Sequence, residues 1–445
     1  MTVSVIGMSL LGIAGAAVMA KAGNDVLCTD MDEELVNAVK EGDFPGFEAG
    51  LCPLVEKEME SGRLKFSGNL RKVIKESRVI FITCEVPEDE DHLPNLRFVK
   101  AIAQSIGHHM EDYKAIVIKA TTPPGTVEKV ENIILELLNK REIDIPFDVI
   151  TSPSIARIGT MLRDLERPKM VCVGADTERG KEELTKIYKS MAIITNKIVY
   201  GSPRDVEMAN YGLNGILAVK VAYMNEMALL CEKTGANIDI VAKIMGLDSR
   251  ISTQIMMPNP GFGGSRLPKN SRALIKIAES CGEHMQVLEG ALEANKKQKI
   301  KVVEKITNLL DGVEGKIIGI LGLAMKSGTD DIREAPALDI IKELAEKGAE
   351  IRIYSPEGYQ QAKWRLFQVK DSITFCDSIY HAAEEADALV VMTKWKGTRL
   401  TDEEKLHMIM KGDLFIDLQN LFMNRAEVKQ LFNYHGLGMN EEASK

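Results

Sequence analysis

Short apolar runs alternate with helix-spaced apolar positions along the first third of the chain. The runs are rich in Val and Ile, whereas the segments between them place apolar residues three or four positions apart. The predicted strands are residues 3–6, 25–29, 79–83, 115–120, 147–151, 169–174 and 193–199, with helices at residues 10–22 and 33–41. Strands that alternate with helices are typical of a parallel sheet with crossover helices. The pattern predicts one doubly wound α/β domain over residues 1–202.

The pattern changes at residue 203, where apolar positions keep helical spacing as far as residue 234. A helix of that length would extend roughly 45 Å, which is more than one compact core needs. We therefore expect it to be a spine between domains, a dimer interface, or both. We expect it to belong to a central helical part over residues 203–311, which would contain the dimer interface and the glycine-rich loop at residues 261–264.

Strand–helix alternation returns after the glycine-bounded segment at residues 312–315. The predicted strands are residues 316–321, 350–354, 372–375, 388–392 and 414–418. They predict a second doubly wound domain over residues 312–445, with a disordered tail after Gly438. The expected fold is thus α/β, with two Rossmann-like domains joined by a long central helix.

Composition narrows the class of protein. The 445 residues are 45% hydrophobic and 27% charged, as is usual for a soluble globular protein, and the net charge of -9 favours neither nucleic acid nor an anionic membrane as a partner. No apolar run approaches the length of a membrane span, and the first residues predict a strand rather than a signal peptide. The seven dispersed cysteines are typical of reduced thiols in the cytoplasm. No residue cluster has metal-ligand spacing.

A glycine turn follows the first predicted strand and opens the first predicted helix. Its residues are Gly7-Met8-Ser9-Leu10-Leu11-Gly12, and Asp30 ends the second predicted strand. In this context a dinucleotide pyrophosphate binds at the helix N-terminus, and a carboxylate at Asp30 favours NAD over NADP. Ser9 replaces the middle glycine of the pattern, so we expect weakened NAD binding. The alternative is a tight strand–helix turn without a ligand.

Longer motifs follow one another along the whole chain. They are Gly261-Phe262-Gly263-Gly264-Ser265 with Pro268-Lys269, and residues 47–51, 119–126, 211–215, 322–326 and 329–336. Together they resemble the UDP-glucose/GDP-mannose dehydrogenase family, which oxidises a primary alcohol of a nucleotide sugar to a carboxylate in two hydride transfers to NAD. The resemblance implies NAD as cofactor, a nucleotide sugar of the UDP-glucose or UDP-uronate type as ligand, and a homodimer formed through the central helix.

The resemblance also assigns ligand contacts to individual residues. Cofactor contacts are implied for Gly7, Ser9, Leu10, Leu11, Gly12, Asp30, Val86, Thr121 and Lys326. Substrate contacts are implied for Ile155, Ala156, Arg157, Asn214, Arg250, Phe262, Gly263, Gly264, Lys269, Lys326 and Arg333. The glycines of residues 261–264 are expected to bring backbone amides close to an anionic diphosphate.

Four of the positions that depart from the family pattern are those of its reacting groups. Arg266 stands in place of the nucleophilic Cys, Asn270 in place of an Asp, Asn210 in place of a Lys, and Ser154 in place of a Glu. A guanidinium group does not lose its proton in a protein and cannot form a thioester, and an amide does not exchange protons at neutral pH. No catalytic group of the family is therefore expected to be intact at these positions.

The remaining motif positions offer no replacement for the lost groups. Thr121 and Asn214 are retained, but neither is a base near neutral pH. Cys281 is expected inside a helix that starts near Ser271, too far along to act as the nucleophile. Two flanking cofactor contacts also differ, with Val86 in place of a Thr and Gln419 in place of an Arg.

Three interpretations of the chain follow. The leading one is a protein that binds a nucleotide sugar and NAD without making a uronic acid, as a sensor or as the partner of an active paralogue. The second is an enzyme of changed chemistry, such as a two-electron oxidoreductase. The third is a structural assembly protein that binds no ligand. Arg266 itself either recognises an acidic nucleotide sugar, such as a UDP-uronate, or simply fills the pocket or pairs with a neighbouring group.

Overall fold

The apolar runs of the first half form one eight-stranded sheet in the computed structural model, which describes residues 2–193, 195–326, 328–395 and 402–439. The strands are β1 (Thr2–Ile6), β2 (Asp25–Thr29), β3 (Leu64–Phe66), β4 (Val79–Ile82), β5 (Lys114–Ile118), β6 (Phe147–Thr151), β7 (Val171–Gly174) and β8 (Ile198–Gly201). Their spatial order is β3-β2-β1-β4-β5-β6-β7-β8. Neighbours are parallel except β6 and β7. The doubly wound α/β prediction is confirmed.

Two details of this sheet differ from the expectation. The strand predicted at residues 193–199 lies instead at Ile198–Gly201, because Thr195–Lys197 form a single 3-10 turn. β3 lies outside the predicted strands. It has only three residues and one of them is exposed, so it carries too little of the apolar pattern to be recognised.

Helices cover both faces of the sheet. They are α1 (Leu10–Lys21), α2 (Glu33–Lys40), α3 (Leu51–Glu60), α4 (Leu70–Glu76), α5 (Arg97–His109), α6 (Thr126–Lys140), α7 (Met161–Glu166) and α8 (Glu178–Ser190). Side chains of α1, α3, α7 and α8 pack in one core with Val3 and Val5 of β1. Side chains of α5 and α6 pack in a second core with Ile80 and Ile82 of β4. Burial on both faces explains why the strands are continuous apolar runs.

The long helix predicted from residue 203 is confirmed as α9 (Pro203–Thr234), with 32 residues. The chain divides into two compact units between Leu213 and Asn214, inside this helix. The division into three parts made from the sequence stays a prediction.

The second unit contains the second doubly wound sheet, with six parallel strands in the order β11-β10-β9-β12-β13-β14. The strands are β9 (Ile317–Leu321), β10 (Glu350–Tyr354), β11 (Ile373–Phe375), β12 (Ala388–Val391), β13 (Leu414–Asp417) and β14 (Asn433–Gly436). The helices are α10 (Ile238–Leu247), α11 (Leu267–Ser280), α12 (Gln286–Leu309), α13 (Pro336–Glu346), α14 (Tyr359–Arg365), α15 (Ile379–Ala383), α16 (Glu403–Ile409) and α17 (Ala426–Leu431). β14 was not among the predicted strands, and the predicted disordered tail lies, from residue 440 onward, outside the described residues.

Within the described residues, no helix combines the length and the apolar character needed to cross a membrane. Within the same residues, no group of three or more His, Cys, Asp and Glu side chains is placed to hold a metal ion.

Glu48, in the motif at residues 47–51, has a structural role. Its side chain is buried, and its two carboxylate oxygens accept hydrogen bonds from the N–H groups of Gly159 and Met161, at 2.6 and 2.7 Å. Met161 begins α7, so the carboxylate caps this helix and fixes the end of the segment that carries Ser154.

We expect Glu48→Gln to lower the free energy of unfolding by about 1–3 kcal/mol, because an amide satisfies only one of the two buried donors. Urea unfolding measures the difference. The matched control is Glu56→Gln, at an exposed carboxylate on α3. Equal stability of the two variants would show that Glu48 does not hold the α7 segment.

Candidate functional site

The turn after β1 contains two glycines that are required by the close approach of the backbone. A Cβ on Gly7, which has a φ of +112°, would lie 2.4 Å from the backbone nitrogen of Cys84. A Cβ on Gly12 would lie 2.1 Å from the carbonyl oxygen of Gly7. Both distances are too short for any side chain, so a tight strand–helix turn alone accounts for these two residues.

Ser9, which departs from the glycine pattern, is the N-cap of α1. Its hydroxyl accepts from the Gly12 N–H at 3.2 Å and donates to the Thr83 carbonyl at 2.8 Å. The N–H groups of Leu10 and Leu11 have no partner within the described residues. Because free N–H groups at a helix N-terminus bind phosphate, this turn fits a dinucleotide even with Ser9 in place.

Asp30 follows β2 and faces the same turn. Its carboxylate accepts from the N–H of Met8 at 2.6 Å and from the N–H of Asp32 at 3.1 Å. It lines a cavity of 180 Å³ together with Gly7, Met31, Asp32, Cys84 and Phe98. The cavity lies at the carboxyl ends of β1, β2 and β4, where the strand order reverses between β1 and β4. Doubly wound sheets bind nucleotides at this point.

Thr121, which matches the family pattern, contacts Asn210, one of the four residues that replace its reacting groups. The Asn210 side-chain amide donates to the Thr121 hydroxyl at 3.1 Å. One helical turn earlier on α9, Glu207 accepts from the N–H groups of Gly125 and Val127, at 2.7 and 3.2 Å. Two neighbouring turns of α9 therefore hold the segment of residues 121–127. The Thr121–Asn210 pair contains no group that exchanges protons near neutral pH.

Glu207, which holds this segment, has a strongly raised pKa. It is buried, and burial raises its pKa from 4.5 to about 7, while the N–H groups of Gly125 and Val127 act in the opposite direction. The sequence gave no indication of this role, because a lone Glu on a predicted helix is usually exposed to solvent.

Ser154 is buried beside a second, largely apolar cavity of 460 Å³. Ile155, Ala156 and Arg157 line the same cavity, together with Leu11 and Gly12 of the glycine turn. The first unit thus brings several of the predicted cofactor and substrate residues to one cavity. Arg157 forms a two-point ion pair with Asp164, at 2.8 and 3.0 Å, which lowers the pKa of Asp164 to about 2.

In the second unit, Gly263 and Gly264 are required because neighbouring atoms leave no room for a Cβ. A Cβ on Gly263 would lie 2.1 Å from the carbonyl oxygen of Glu334, and a Cβ on Gly264 would lie 2.0 Å from the sulfur of Met325. The N–H of Gly264 donates to the carbonyl of Arg333 at 2.7 Å. The Gly264 amide is thus hydrogen bonded within the second unit, and its contact with a diphosphate stays a prediction.

Phe262 is fixed by a residue that the sequence motifs did not indicate. Asn295 on α12 accepts from the Phe262 N–H at 2.7 Å and donates to the Phe262 carbonyl at 2.9 Å. A second such residue is Asn225 on α9, which accepts from the N–H of Asn259 at 2.8 Å. Side-chain amides at helical positions gave no sequence signal for a loop contact, because they are equally common on exposed helix faces.

Arg266 is the N-cap of α11, which begins at Leu267. The residue is half-buried, and its guanidinium group has no hydrogen-bond or ion-pair partner within the described part of the chain. Burial lowers the pKa of Arg266 and nearby Arg333 lowers it further, whereas Asp331 raises it. Because arginine stays protonated in proteins, the group is a cation that is only partly hydrated.

Asn270 lies one turn further along α11, and its N–H donates to the Arg266 carbonyl at 2.8 Å. Its side chain is 1% exposed, and neither amide atom has a hydrogen-bond partner within the described residues. A buried amide without partners is unfavourable by about 1–3 kcal/mol.

The carboxyl edge of the second sheet carries Lys326. β9 is followed by Gly322, where a Cβ would lie 2.5 Å from that of Thr393, and the Thr393 hydroxyl donates to the Ala324 carbonyl at 2.6 Å. The segment is thereby held where the strand order reverses between β9 and β12. Arg333 forms a two-point ion pair with Asp331, with both distances 2.9 Å.

The other predicted residues lie on several different elements. Asn214 is buried on α9, Lys269 is half-buried in the first turn of α11, and Arg250 is exposed and paired with Asp248. Val86 is buried after β4, and the Gln419 side chain donates to the Met392 carbonyl at 2.8 Å.

Cys281 is placed differently from the expectation. α11 starts at Leu267 rather than near Ser271 and ends at Ser280, so Cys281 follows the helix and is exposed. A helix of 14 residues is about 21 Å long, which separates this thiol from Arg266 at the other end.

Comparisons with known proteins cover nearly the whole chain. Residues 1–192, 204–297 and 319–424 match the NAD binding, central and UDP binding domains of the UDP-glucose/GDP-mannose dehydrogenase family. A UDP-glucose 6-dehydrogenase of Rhizobium meliloti is 34% identical over 98% of this chain and 99% of its own length. UDP-glucose 6-dehydrogenase TuaD of Bacillus subtilis is also 34% identical, over 98% of this chain and 93% of its own length. The solved structure of a UDP-glucose dehydrogenase from Pyrobaculum islandicum is 27% identical, covers 98% of both chains, and has a TM-score of 0.88.

The raised pKa of Glu207 predicts a dependence of stability on pH. The folded state disfavours the ionised carboxylate, so this group's contribution to stability is complete below pH 4.5 and is lost as the pH rises through about 7. Between about pH 5 and about pH 8, we expect the wild type to lose about 1–2 kcal/mol more than Glu207→Gln, which does not titrate. Urea unfolding at several pH values measures this. Glu136→Gln, at an exposed position of α6, should keep the wild-type slope, and the same slope in Glu207→Gln would contradict the assignment.

Proposed function

The chain belongs to the UDP-glucose/GDP-mannose dehydrogenase family, and from this premise we propose that it binds NAD and a UDP-sugar without oxidising the sugar to a uronate. The observation that supports this most directly is the side chain of Arg266. A permanently protonated guanidinium group stands where the resemblance places the thiol that captures the aldehyde. Without that thiol, no thioester forms, and the second oxidation has no covalent intermediate.

The first oxidation also lacks the family's general acid–base groups. Removal of hydride from the alcohol requires a base, directly or through water, to take the hydroxyl proton. Asn210 occupies a position that the resemblance gives to Lys, and its amide is hydrogen bonded to Thr121. Ser154 and Asn270 occupy the positions of Glu and Asp. Loss of general acid–base help alone typically slows a reaction by about 10²–10⁴-fold.

The capacity to bind is supported by both sheets. NAD, which accepts hydride when bound, would be held by the free N–H groups of Leu10 and Leu11 and by Asp30 beside the cavity at the end of β2. The UDP moiety would be held at the reversal point of the second sheet by Lys326 and Arg333. Such a protein would serve as a sensor of the nucleotide sugar or as a non-catalytic partner subunit.

A two-electron oxidoreductase is the second candidate, and one observation favours it. Glu207 has a pKa raised to about 7 and lies one turn from Asn210, so a carboxyl group with a pKa near neutrality exists close to the Thr121 segment. This enzyme would release an aldehyde and one NADH for each sugar, whereas full oxidation to a uronate yields two.

The exposed face of α9 supports a homodimer as part of the proposal. Ile216, Tyr223 and Leu230 are 62%, 51% and 55% exposed and follow one another at seven-residue spacing. Two turns of helix separate such positions, so the three side chains form one stripe. Apolar residues aligned in this way are typical of a surface covered by another chain.

We expect the double variant Ile216→Glu/Tyr223→Glu to be monomeric, because two charges cannot be buried in an apolar interface. Light scattering coupled to gel filtration gives the molar mass, and circular dichroism checks folding. The control is Met408→Glu, at an apolar residue that is 76% exposed on α16, outside the stripe. A monomeric wild type, or a double variant that stays dimeric, would contradict the interface.

The main test combines binding and turnover. The purified protein is mixed with UDP, UDP-glucose, UDP-glucuronate and NAD, while the melting temperature and the absorbance of NADH are recorded. We expect a higher melting temperature with NAD and with a UDP-sugar, and no NADH. Lys326→Ala should reduce the effect of the UDP-sugar, whereas Lys347→Ala, at a lysine paired with Glu343 on the surface, should not.

Each alternative outcome has a distinct meaning. Two NADH for each UDP-glucose would refute the loss of catalysis, and one NADH would favour the two-electron enzyme. An unchanged melting temperature with every ligand would refute binding and favour the structural protein.

A further inference from the structure

The first turn of α11 holds a positive charge that the described chain does not neutralise. The Arg266 guanidinium group is half-buried and has no carboxylate or hydrogen-bond partner within the described residues. An ionised group that is partly removed from water is unfavourable unless an opposite charge accompanies it. The surroundings of Arg266 therefore favour an anion that the chain itself does not supply.

The polar side chain one helical turn after Arg266 also indicates a ligand. Asn270, on the same face of α11 one turn later, is 1% exposed and has no hydrogen-bond partner for either amide atom. Buried polar groups are nearly always hydrogen bonded in folded proteins. An unsatisfied side-chain amide one helical turn from an unpaired cation is an arrangement that an anionic ligand would complete.

The nearby acidic residue is already engaged. Asp331 accepts from the backbone N–H of Arg333 at 3.0 Å and from the Arg333 side chain at two points. The two arginines are close enough for Arg333 to lower the pKa of Arg266. Two guanidinium groups therefore lie near one carboxylate, and the carboxylate is oriented towards Arg333. The interpretation in which Arg266 pairs with a neighbouring carboxylate has no partner residue within the described chain.

We propose that Arg266 and Asn270 recognise a carboxylate on the sugar, so that the preferred ligand is a UDP-uronate rather than UDP-glucose. This inference rests on the proposed function, because it names the ligand of the same site. Arg266 occupies the position that the resemblance places beside the sugar carbon that the family oxidises. A guanidinium group matches the two oxygens of a carboxylate with two parallel hydrogen bonds. UDP-glucose has a neutral hydroxyl at that carbon and would leave the charge unpaired.

The test is isothermal titration calorimetry of the full-length protein with UDP, UDP-glucose and UDP-glucuronate. We expect UDP-glucuronate to bind at least about 10-fold more tightly than UDP-glucose, as is usual for a desolvated charge pair. Arg266→Gln should remove this preference while leaving the affinity for UDP unchanged. Arg266→Lys should retain part of the preference, because it keeps the charge and loses the two-point geometry. Lys276→Gln, at a surface ion pair on the same helix, is the control for loss of one positive charge.

The stability of the ligand-free variant separates recognition from a structural role. An unpaired, partly buried charge destabilises the folded state, so Arg266→Gln without ligand should melt at or above the wild-type temperature. A clearly lower melting temperature would show that Arg266 is needed to fill its surroundings and would overturn the inference.

Other results also overturn it. Equal affinities for UDP-glucose and UDP-glucuronate would refute recognition of a carboxylate. An equal loss of affinity for UDP and UDP-glucuronate in Arg266→Gln would assign the arginine to the diphosphate. Absence of binding by all three nucleotides would refute the proposed function itself, and the inference with it.

Discussion

At the start of α11, a guanidinium group that is partly removed from water carries a charge without a partner in the described chain. The charge cannot be relieved by deprotonation, as it can for a buried lysine or carboxylate, because arginine keeps its proton. Solvent or a ligand has to accommodate it. The proposals for Arg266 follow from this constraint, since the same permanent charge that rules out nucleophilic chemistry favours an anion.

The glycines near Arg266 have a different physical origin. Gly263 and Gly264 are required because the backbone near residues 333–335 and the Met325 side chain leave no room for a Cβ. Their presence is therefore explained by packing within the second unit, with or without a ligand. Support for binding has to come from groups that packing does not explain, and the buried amide of Asn270 is such a group.

In the first unit, α9 contributes both a structural contact and a chemical one. Glu207 holds the backbone after the Thr121 segment, and Asn210 holds the Thr121 hydroxyl. The two residues are one turn apart, so they lie on one face of the helix. Asn210 and Glu207 therefore support the geometry of the Thr121 segment, and the Thr121–Asn210 pair itself contains no group that exchanges protons near neutral pH.

The sequence by itself determined the elements of regular pattern and the identity of the chemical groups. Long apolar runs located most of the strands, the helical spacing after residue 203 located α9, and motif order identified the family. Through the resemblance it also predicted that Arg266 stands at the position of a nucleophile, because the identity of a side chain is read directly from the sequence. It missed β3 and shifted β8, since runs of three or four residues carry little periodicity.

Only the tertiary structure decided which groups have partners. Whether Asn270 or Arg266 is satisfied depends on residues distant in sequence, and so does the role of Glu48 as a cap of α7. The same is true of Gly263. A Cβ at this residue would collide with the backbone oxygen of Glu334, which is about 70 residues away in the sequence. Hydrogen bonding, burial and close approach are properties of pairs of groups in space, so no local pattern in the chain encodes them.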